Sequence, residues 1–473
     1  MRSVQSRPVR RNLLAALVVF LVSFGIRAWF VGSTQHHPIS DARHYERRAQ
    51  HILEHGAMPD GAYRTPAYPY FLASIVKVAG PGWRAPAMAN AAMGALSSAV
   101  LVLLVGMFLS ARTAIVAGLL HALSPPAVAL VPQTLTEHPA LLLTLLTLLC
   151  LACADRARGR RVWLLTLAGG VCFGLLLLTR PSGLFLLPAL LVLLVRNVRK
   201  RAWTPKLALA FAVVSALVVA PWLYRNQRQG LGLMLSSVGG HNLYIGNSDG
   251  AVSDGSRVTQ PTLAELLAMY GEAGADRWAR NQALGWIAEH PGRYLQLCGV
   301  RALGLLATKP SHYTMLAFTH WKISPEAFRA YERRKAKPAA YRPYREEYAD
   351  ATRWAERLLR WWYAFVSPLM VLGAALAIPH WRRYALLLVP LGAYVVGLTL
   401  TFSQPRFREL SDPLFCVFVA LLVSDLAFGT QRLGKRPSRR VKAILAAVAV
   451  AAWVTFEAAG LWSPLYTLDP LTP

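Results

Sequence analysis

Residues 40–70, SDARHYERRAQHILEHGAMPDGAYRTPAYPY, follow the first apolar segment that is long enough to cross a membrane, residues 12–31. The stretch begins with Ser40, a favoured N-cap residue, and with a lone acid, Asp41, and it continues as an amphipathic helix. It then turns through Arg64-Thr65-Pro66 into an aromatic apolar run. A first loop that carries an acid, basic residues and amphipathic helices indicates chemistry at a membrane surface.

Composition and apolar runs predict an all-α integral membrane protein. Of the 473 residues, 55% are hydrophobic and 16% are charged, which is a low charged fraction for a soluble protein. We expect a bundle of about 11–13 transmembrane helices. The first apolar run is long and lacks a convincing cleavage site, so we do not expect a cleaved signal peptide. The predicted spans lie near residues 12–31, 86–109, 112–131, 138–155, 162–179, 182–196, 206–223, 360–379, 384–401, 412–428 and 441–463.

The net charge of +28 first suggests nucleic-acid binding, but the positions of the basic residues argue against it. The basic residues cluster in short loops between predicted spans, as cytoplasmic anchors do under the positive-inside rule. We therefore predict a cytoplasmic N-terminus, membrane lipids as neighbours and no nucleic-acid partner. The clusters are Arg7 with Arg10 and Arg11, Arg156 to Arg161, Arg196 to Arg201, Arg382 with Arg383, and Arg432 to Arg440.

These clusters predict one polytopic domain, residues 1–473, with defined outside segments. The segment 292–309 is apolar, but Arg293, Arg301 and Lys309 interrupt it. If it crossed the membrane, the basic run 432–440 would lie outside, so we predict that 292–309 lies in the interface or packs against the bundle. The predicted outside segments are the first loop 32–85 with its interfacial helices, the long segment 224–358, and the turns 131–137, 179–182 and 402–411.

The helix after Ser40 is predicted to lie in the membrane interface, followed by a second interfacial helix at 66–80. Asp41 falls in its first turn, where the helix dipole and free backbone N–H groups favour an ionised carboxylate. Such a carboxylate can accept a proton from an attacking hydroxyl group or hold a metal ion, and the alternative is that Asp41 only caps the helix. The shared apolar face consists of Ala42, Tyr45, Ala49, Ile52 and Leu53.

A second acid, Glu137, is predicted to lie at the mouth of a span on the same side as Asp41. Thr136 and Pro139 mark the start of that span in PQTLTEHPALLLTLL. Two separate loops would thus bring carboxylates to one face. The alternative is that Glu137 only complements the helix dipole. His138 beside it is either a proton carrier or an ordinary interfacial polar residue.

Several arginines are predicted to face the same side as these acids. Ionisable residues near membrane depth usually line a polar cavity or face an interface, and a guanidinium group matches phosphate oxygens in a bidentate manner. Arginines that converge on one outward mouth would form a lipid-phosphate site, whereas each alone could snorkel to the headgroups. Arg27, inside the first span, could do either. The arginines are Arg180 in LTRPSG, Arg225 in PWLYRNQRQG, and Arg406 and Arg408 in QPRFREL.

Other signals are weaker or absent. His241 lies in the polar stretch SVGGHNLYIGNSDG, which could contact a sugar or form ordinary turns. The pair Cys150 and Cys153 lies inside an apolar span, where packing is a better interpretation than redox or zinc chemistry. The sequence contains no Walker A motif, no G-x-G-x-x-G and no G-x-S-x-G, which argues against the usual nucleotide-driven pumps and against the α/β-hydrolase elbow.

The order of these pieces resembles a known family. An acid in the first loop is followed by R-x-P-x-Y-P, by T-E at a span mouth, by T-R-P, by P-W-x-x-R-N, by HPGRYLQL and by a late Q-P-R-F-R-x-x-x-x-P. This set, spread over residues 10–425, resembles the GT-C superfamily of polytopic glycosyltransferases. The most similar branch contains the dolichyl-phosphate-mannose protein mannosyltransferases and the lipid A aminoarabinose transferases.

The resemblance implies transfer of a sugar from a polyprenyl phosphate to an acceptor outside the cytoplasm, typically with inversion. It implies that Asp41 is the catalytic carboxylate and that Glu137 is the second-loop acid. Many relatives carry a paired Asp-Glu or Asp-Asp in the first loop, whereas Asp41 is followed by Ala42, so a divalent metal is only a possible cofactor here. The chain lacks the soluble repeat domains of the mannosyltransferase branch, which disfavours protein O-mannosylation.

We therefore predict a membrane glycosyltransferase whose acceptor is a lipid, a glycan or a protein, on the outer face of a bacterial cytoplasmic membrane. A transporter or flippase of lipid-linked glycans, a non-enzymatic assembly protein, and an oligosaccharide polymerase or ligase are the alternatives. The predicted site comprises Asp41 and Glu137 as catalytic residues, Arg64, Arg180, Arg225, Arg406 and Arg408 as donor-phosphate contacts, and Tyr45, His138, Asn226 and His241 as substrate contacts.

Overall fold

The computed structural model describes residues 6–36, 38, 40–191, 205–249, 251, 261–306, 310–333, 345–377 and 381–428, and five positions between 447 and 453. Apart from those five positions, the predicted span 441–463 lies outside the described residues. The basic clusters 196–201 and 432–440, and the ends of the predicted segments 182–196 and 292–309, also lie outside them.

The described secondary structure is entirely helical, and no strand occurs in this part of the chain, which confirms the all-α prediction. Two 3₁₀ helices, Pro181–Leu186 and Pro405–Leu410, accompany the α-helices. The α-helices are α1 (Ser6–Ser33), α2 (Ser40–His55), α3 (Ala67–Ala79), α4 (Arg84–Gly106), α5 (Ala111–Ala122), α6 (Pro125–Ala129), α7 (Glu137–Ala154), α8 (Arg160–Thr179), α9 (Pro205–Arg228), α10 (Gly239–Gly246), α11 (Leu263–Glu289), α12 (Pro291–Leu306), α13 (His312–Lys322), α14 (Pro325–Arg333), α15 (Arg345–Ala377), α16 (Trp381–Leu400) and α17 (Asp412–Phe428).

Within the described ranges, six helices are long and apolar enough to cross a membrane by length and composition. Each overlaps a predicted span, which supports an integral membrane protein. Helices α16 and α17 also coincide with the predicted spans 384–401 and 412–428. The six candidates are Asn12–Ser33, Arg84–Gly106, Glu137–Ala154, Arg160–Thr179, Pro205–Arg228 and Arg345–Ala375.

The predicted span 112–131 is wrong as a single helix. Helix α5 ends at Ala122, and Pro125 and Pro126 open the separate five-residue helix α6. A proline cannot donate the backbone hydrogen bond that would continue the preceding helix, which explains the break. Helix α5 therefore has 12 residues, about 18 Å of length, which is too short to cross a bilayer alone.

Helix α15 begins well before the predicted span 360–379. Its 33 residues extend over about 50 Å, which exceeds the roughly 30 Å of a hydrocarbon core. Ion pairs one turn apart stabilise the polar N-terminal half, between Arg353 and Asp350 and between Arg360 and Glu356. The helix thus joins a polar extension to an apolar span.

Helix α12 packs against the bundle, which is one of the two arrangements predicted for residues 292–309. It contacts α16, and its Arg301 is buried against that helix. The Arg301 guanidinium donates to the carbonyl oxygens of Gly246 and of Thr399, the latter at 3.1 Å. A buried guanidinium group needs such acceptors because desolvation without them is costly.

The amphipathic face of α2 is buried inside the protein. Ala42, Tyr45, Ala49 and Ile52 are all buried, and the Tyr45 ring lies edge-on to that of Tyr68 in α3, with 5.3 Å between centroids. The apolar face is therefore covered by protein, and the interfacial position of the helix stays a prediction. The same periodicity suits either environment, and only the position of α3 decides between them.

Arg27 neither snorkels nor reaches the polar cavity described below. It is fully buried, and its Nη1 donates to Ser23 Oγ at 2.6 Å and to the carbonyl oxygen of Ala122 at 2.9 Å. Its Nη2 donates to the carbonyl oxygen of His121 at 3.2 Å. These carbonyl groups end helix α5, where a cation is favoured by the helix dipole, so Arg27 joins α1 to α5.

Helices α8 and α9 approach each other closely enough for backbone contact. A Cβ atom on Gly170 would lie 2.9 Å from the carbonyl oxygen of Phe211, and one on Gly174 would lie 2.9 Å from that of Ser215. The Ser215 hydroxyl group also donates to the carbonyl oxygen of Gly170 at 3.0 Å. Small residues spaced four apart permit this packing between membrane helices.

We expect Gly174→Ala to destabilise the fold by about 1–3 kcal/mol, because the added methyl group would force α8 and α9 apart. The measurement is the melting temperature of the purified protein in detergent. Gly25→Ala in α1 is the matched control, since a Cβ atom there meets nothing within 4 Å. Equal melting temperatures for wild type and Gly174→Ala would contradict the close packing.

Candidate active site

A cavity of about 1710 Å³ lies between the α2–α3 loop, α8, α9, α10 and the 3₁₀ helix Pro405–Leu410. One end is charged and the other is apolar. The charged end is lined by Asp41, Arg64, Glu137, Arg180 and Arg406. The apolar end is lined by side chains of α8, of the segment after it, and of α9, among them Phe173, Leu177, Leu184, Leu187, Leu191, Phe211, Val219 and Leu223.

Asp41 holds two arginines from distant parts of the chain. Its Oδ1 accepts from Arg64 Nη2, and its Oδ2 accepts from Arg406 Nη2. Each of the three side chains is no more than 15% exposed. The two guanidinium groups thus occupy both oxygens of one carboxylate, which makes strong charge-assisted hydrogen bonds.

Aromatic rings surround these arginines. Arg406 lies over the rings of Tyr313 and Phe407, at 4.7 Å and 5.2 Å from their centroids. Arg64 lies over the Tyr63 ring at 4.8 Å and the Tyr45 ring at 5.3 Å. These faces attract the cations and restrict where they can move.

The second carboxylate, Glu137, pairs with Arg180. Arg180 Nη1 lies 2.8 Å from Glu137 Oε1, and both side chains are largely buried. The angles are poor, so neither Glu137 oxygen has an aligned hydrogen bond within the described structure. Arg180 Nη1 also donates to Thr136 Oγ1 at 3.4 Å, and its guanidinium group lies over the Phe407 ring at 4.8 Å. Glu137 is therefore charge-compensated but keeps hydrogen-bonding capacity.

The charges at this end determine the ionisation of Asp41. Burial alone would raise the pKa of Asp41, but the Arg406 and Arg64 guanidinium groups outweigh it and hold that pKa well below its usual range. Burial alone would lower the pKa of Arg406, but the Asp41 and Glu137 carboxylates outweigh that effect and raise it. Asp41 is therefore an ionised carboxylate with low proton affinity in this arrangement.

The loop that carries Arg64 is held from several sides. Thr65 Oγ1 donates to the carbonyl oxygen of Thr179 at 2.9 Å, at the end of α8. The backbone N–H of Ala62 donates to Glu272 Oε1 at 2.8 Å, and Glu272 also accepts from the Ser237 hydroxyl group. These contacts connect the loop to α8 and to α11, so the position of Arg64 is set by tertiary contacts.

The structure places Arg225 and Asn226 outside the cavity. Arg225 Nη2 donates to the carbonyl oxygen of Pro59 at 2.7 Å, and its Nη1 donates to that of Gly61 at 2.9 Å. Asn226 is fully buried and donates to the carbonyl oxygen of Met234 at 2.8 Å. The predictions of a phosphate contact and a substrate contact are not supported at these two positions, because Arg225 binds the backbone of the loop that carries Arg64 and Asn226 binds the backbone of the segment after α9.

His138 and Arg408 also do not line the cavity. His138 is buried beside Arg27 on the far side of α7, where both side chains crowd Gly94. Arg408 is buried with its guanidinium carbon 3.3 Å from the centroid of the Tyr363 ring. Residues next to a site residue in sequence point elsewhere on a helix, so adjacency to Glu137 and Arg406 misled these two predictions.

Tyr45 and His241 line the cavity, and their contact with substrate stays a prediction. Sequence reasoning missed three further residues. Tyr313 accepts a hydrogen bond from the backbone N–H of Asp41 at 3.4 Å, and His312 beside it is exposed to the cavity. Nothing in the local sequence SHYTML distinguishes these two. Phe407 lies between Arg406 and Arg408 in the motif QPRFREL. Its place between two predicted site residues is the one feature of the sequence that points to it.

The two cavity histidines are neutral at pH 7. Burial lowers the pKa of His241, although the charge of Asp276 opposes the shift, and burial lowers the pKa of His312. A neutral imidazole both donates and accepts hydrogen bonds, which suits contact with hydroxyl groups.

The carboxylates do not form a metal-binding set. Both Asp41 oxygens are engaged by guanidinium groups, and Glu137 is paired with Arg180. No group of three or more His, Cys, Asp or Glu side chains in the described residues could hold a metal ion. Three arginines at the same end also disfavour a divalent cation. The residues present therefore do not fit the divalent metal that the sequence left possible.

Comparison with known proteins agrees with this architecture. Residues 63–224 match the dolichyl-phosphate-mannose-protein mannosyltransferase family. The oligosaccharyltransferase of Archaeoglobus fulgidus, in a crystal structure with zinc and sulfate, has a similar fold with a TM-score of 0.50 and 13% sequence identity. The GT-C resemblance is confirmed. No curated protein matches the chain in sequence.

The similarity of fold to the oligosaccharyltransferase extends over nearly the whole chain. The similarity to the archaeal oligosaccharyltransferase covers 93% of this chain but only 52% of that protein, so the chain spans about half its length. ArnT from Cupriavidus metallidurans, bound to undecaprenyl phosphate, is also similar, with 15% identity and a TM-score of 0.41 over 95% of this chain and 90% of its own.

We expect Asp41→Asn to lower the free energy of unfolding by about 1–3 kcal/mol, since two largely buried guanidinium groups lose their anionic partner. A depressed folded-state pKa contributes stability that is complete above the unfolded value of about 3.9 and is lost only as the pH falls through the folded value. Thermal unfolding in detergent at about pH 5 and about pH 8 should therefore show the same difference between wild type and variant.

The control for this prediction is Asp350→Asn, because the Asp350 side chain is 70% exposed and its ion pair among the described residues is with an exposed Arg353. It should leave stability unchanged within about 0.5 kcal/mol. A difference between wild type and Asp41→Asn that disappears already at the lower pH would mean that the Asp41 pKa is not depressed.

Proposed function

We propose that this protein is a membrane glycosyltransferase that moves a sugar from a polyprenyl-phosphate donor to an acceptor hydroxyl or amine group. The observation that carries the proposal is the single cavity with arginines at one end and an apolar wall at the other. The family matched by residues 63–224 is named for dolichyl-phosphate-mannose, a donor of the same class.

The apolar wall suits a lipid tail. Leu184, Leu187 and Leu191 line the cavity and are 41%, 39% and 58% exposed. Exposed leucines in a continuous wall are unfavourable in water and favourable against hydrocarbon, so this side of the cavity fits an isoprenoid chain. The chain would enter between α9 and the segment that follows α8.

The charged end suits one phosphate group. Among the described lining residues, three arginines face two carboxylates, and both histidines are neutral, which leaves a formal charge of +1. A sugar-phosphate-lipid diester carries one negative charge at pH 7 and would neutralise this end. Guanidinium groups also recognise phosphate oxygens with directional hydrogen bonds.

The reaction is a single displacement. The acceptor oxygen or nitrogen attacks the anomeric carbon, the bond from that carbon to the phosphate oxygen breaks, and its electron pair remains on the lipid phosphate. Arg64, Arg180 and Arg406 stabilise the charge that develops there. Asp41 receives the proton of the acceptor group, and Glu137 orients that acceptor. The configuration at the anomeric carbon inverts because no enzyme nucleophile intervenes.

The acceptor is a lipid, a glycan or a protein, and the reaction takes place on the extracytoplasmic face of a bacterial cytoplasmic membrane. The predicted topology supports that orientation, since the positive-inside rule assigns the basic loops to the cytoplasmic side and the segments that carry Asp41, Glu137 and Arg406 to the other. No step is routed through a metal ion, because the carboxylates are committed to arginines.

Purified protein in lipid nanodiscs, supplied with a panel of short-chain polyprenyl-phosphate sugars and crude acceptor extract, should transfer sugar and release polyprenyl phosphate. We expect Asp41→Asn to lower that rate by about 10²–10⁴-fold, because the acceptor loses its base. Asp350→Asn is the matched control and should retain full rate, and EDTA should not change it. Full activity in folded Asp41→Asn would overturn the mechanism, whereas movement of intact donor across the membrane without cleavage would identify a flippase.

We expect Arg406→Gln to lower the rate by about 10²–10³-fold, since one donor to the leaving phosphate is lost. Arg47→Gln removes the same charge from the exposed face of α2 and serves as the control. Initial rates at saturating donor measure the effect. An equal loss in the two variants would indicate a general effect of surface charge and would argue against a phosphate contact.

A further inference from the structure

We propose that the donor phosphate takes over Arg64 and Arg406 from Asp41, so that the Asp41 carboxylate accepts the acceptor's proton only after the donor has bound. This inference rests on the proposed function, since it requires a lipid-linked phosphate in the cavity. It makes the donor the switch that activates the base.

Asp41 is bound by a cation at each of its carboxylate oxygens. Both of its oxygens are held by guanidinium groups, one from the α2–α3 loop and one from the 3₁₀ helix Pro405–Leu410. A carboxylate in two charge-assisted hydrogen bonds has little affinity for a further proton. As found here, Asp41 cannot act as an effective base at neutral pH.

Each arginine binds Asp41 through one nitrogen of its guanidinium group. Asp41 is bound by Nη2 of Arg64 and by Nη2 of Arg406. The Nε atoms of the same two arginines are buried and have no hydrogen-bond partner among the described residues. Nε–H and Nη2–H form the side-on edge of a guanidinium group, which binds two oxygens of one anion. Asp41 therefore binds one nitrogen of each guanidinium group, Nη2, and the Nε–H of each is without a partner among the described residues.

A phosphate group is better suited than one carboxylate to fill these edges. The donor diester has two charged phosphate oxygens in a tetrahedral arrangement, and each can accept more than one hydrogen bond from the Nε and Nη2 atoms around it, whereas Asp41 accepts here from the two Nη2 atoms. Exchange satisfies both buried Nε donors, which otherwise carry the cost of an unpaired buried polar group. The exchange involves no covalent change, and both arginines remain paired with an anion.

Exchange changes the chemistry of Asp41. The carboxylate loses two cations and gains a neighbouring anion, and both changes raise its proton affinity. Tyr313 keeps its contact with the Asp41 backbone at 3.4 Å, so the first turn of α2 stays in place while the side chain is released. The acceptor proton then has an available base beside the reacting carbon. The predicted order is donor first and acceptor deprotonation second.

Glu137 and Arg180 do not take part in this exchange. Arg180 already divides its Nη1 between Glu137 and Thr136, and its Nε is not among the buried atoms that lack a partner. Arg180 can therefore approach the phosphate without leaving Glu137. The exchange is specific to the two arginines of Asp41.

The test measures the ionisation of Asp41 directly. The full chain is labelled with ¹³C at aspartate carboxyl groups, and the Asp41 signal is identified by its absence in Asp41→Asn. Its pH titration is recorded in nanodiscs without additive, with undecaprenyl phosphate, and with undecaprenol, which has the same tail and no phosphate. We expect undecaprenyl phosphate to raise the apparent pKa of Asp41 by roughly 1–3 pH units and undecaprenol to leave it unchanged.

The outcomes separate this inference from the proposed function, provided that binding of undecaprenyl phosphate is measured in the same samples. Binding without any rise in the Asp41 pKa would overturn the exchange and leave the donor class intact. Absence of binding would overturn both. An equal rise with undecaprenol would also overturn the exchange, because the phosphate would not be its cause.

Arg406→Lys provides a second readout. Lysine keeps the positive charge but has no side-on edge, so it can pair with Asp41 without offering the phosphate a bidentate site. We expect this variant to lose most of the pKa rise caused by undecaprenyl phosphate, whereas Arg47→Lys on the exposed face of α2 should retain it. The same rise in Arg406→Lys as in wild type would rule out the exchange at that arginine.

Discussion

A carboxylate that accepts hydrogen bonds from two guanidinium groups joins parts of the chain that lie far apart in sequence. Asp41 and Arg406 are separated by 365 positions, and Arg64 lies in the loop that follows the helix of Asp41. A largely buried cation requires an anion nearby, and a largely buried anion requires cations. Asp41, Arg64 and Arg406 therefore fix one another's positions. This mutual requirement closes the charged end of the cavity and places the late 3₁₀ helix against the first loop.

The charged end and the apolar wall of the cavity are formed by different parts of the fold. Helices α8 and α9 approach closely through Gly170 and Gly174. Phe173 and Phe211 line the cavity next to this contact. The arginines stand at the opposite end, where Thr65 and Glu272 hold the first loop. A molecule with a phosphate head and a hydrocarbon tail matches this division, which is why we propose a lipid-linked donor.

The arginines of this chain show how one side-chain type takes several roles. Arg27 and Arg301 bind backbone carbonyl groups inside the helical bundle, and Arg225 binds the carbonyl groups of the loop that carries Arg64. Arg406 and Arg180 instead pair with carboxylates that line a cavity. The partner decides the role. A guanidinium group whose donors go to carbonyl groups fixes geometry, whereas one that balances a cavity carboxylate is available to an anionic ligand.

The sequence by itself determined the helical membrane class, because long apolar runs and basic loops reflect the cost of placing charge in hydrocarbon. It also predicted that Asp41, Glu137, Arg64, Arg180 and Arg406 face the same side, since span mouths on one side of a membrane lie near one another. Only the tertiary structure decided that α2 buries its apolar face in the protein and that Arg225, Asn226, His138 and Arg408 turn away from the cavity. Those outcomes depend on the direction of each side chain and on distant packing partners, such as Tyr313 beside Asp41, which no local pattern encodes.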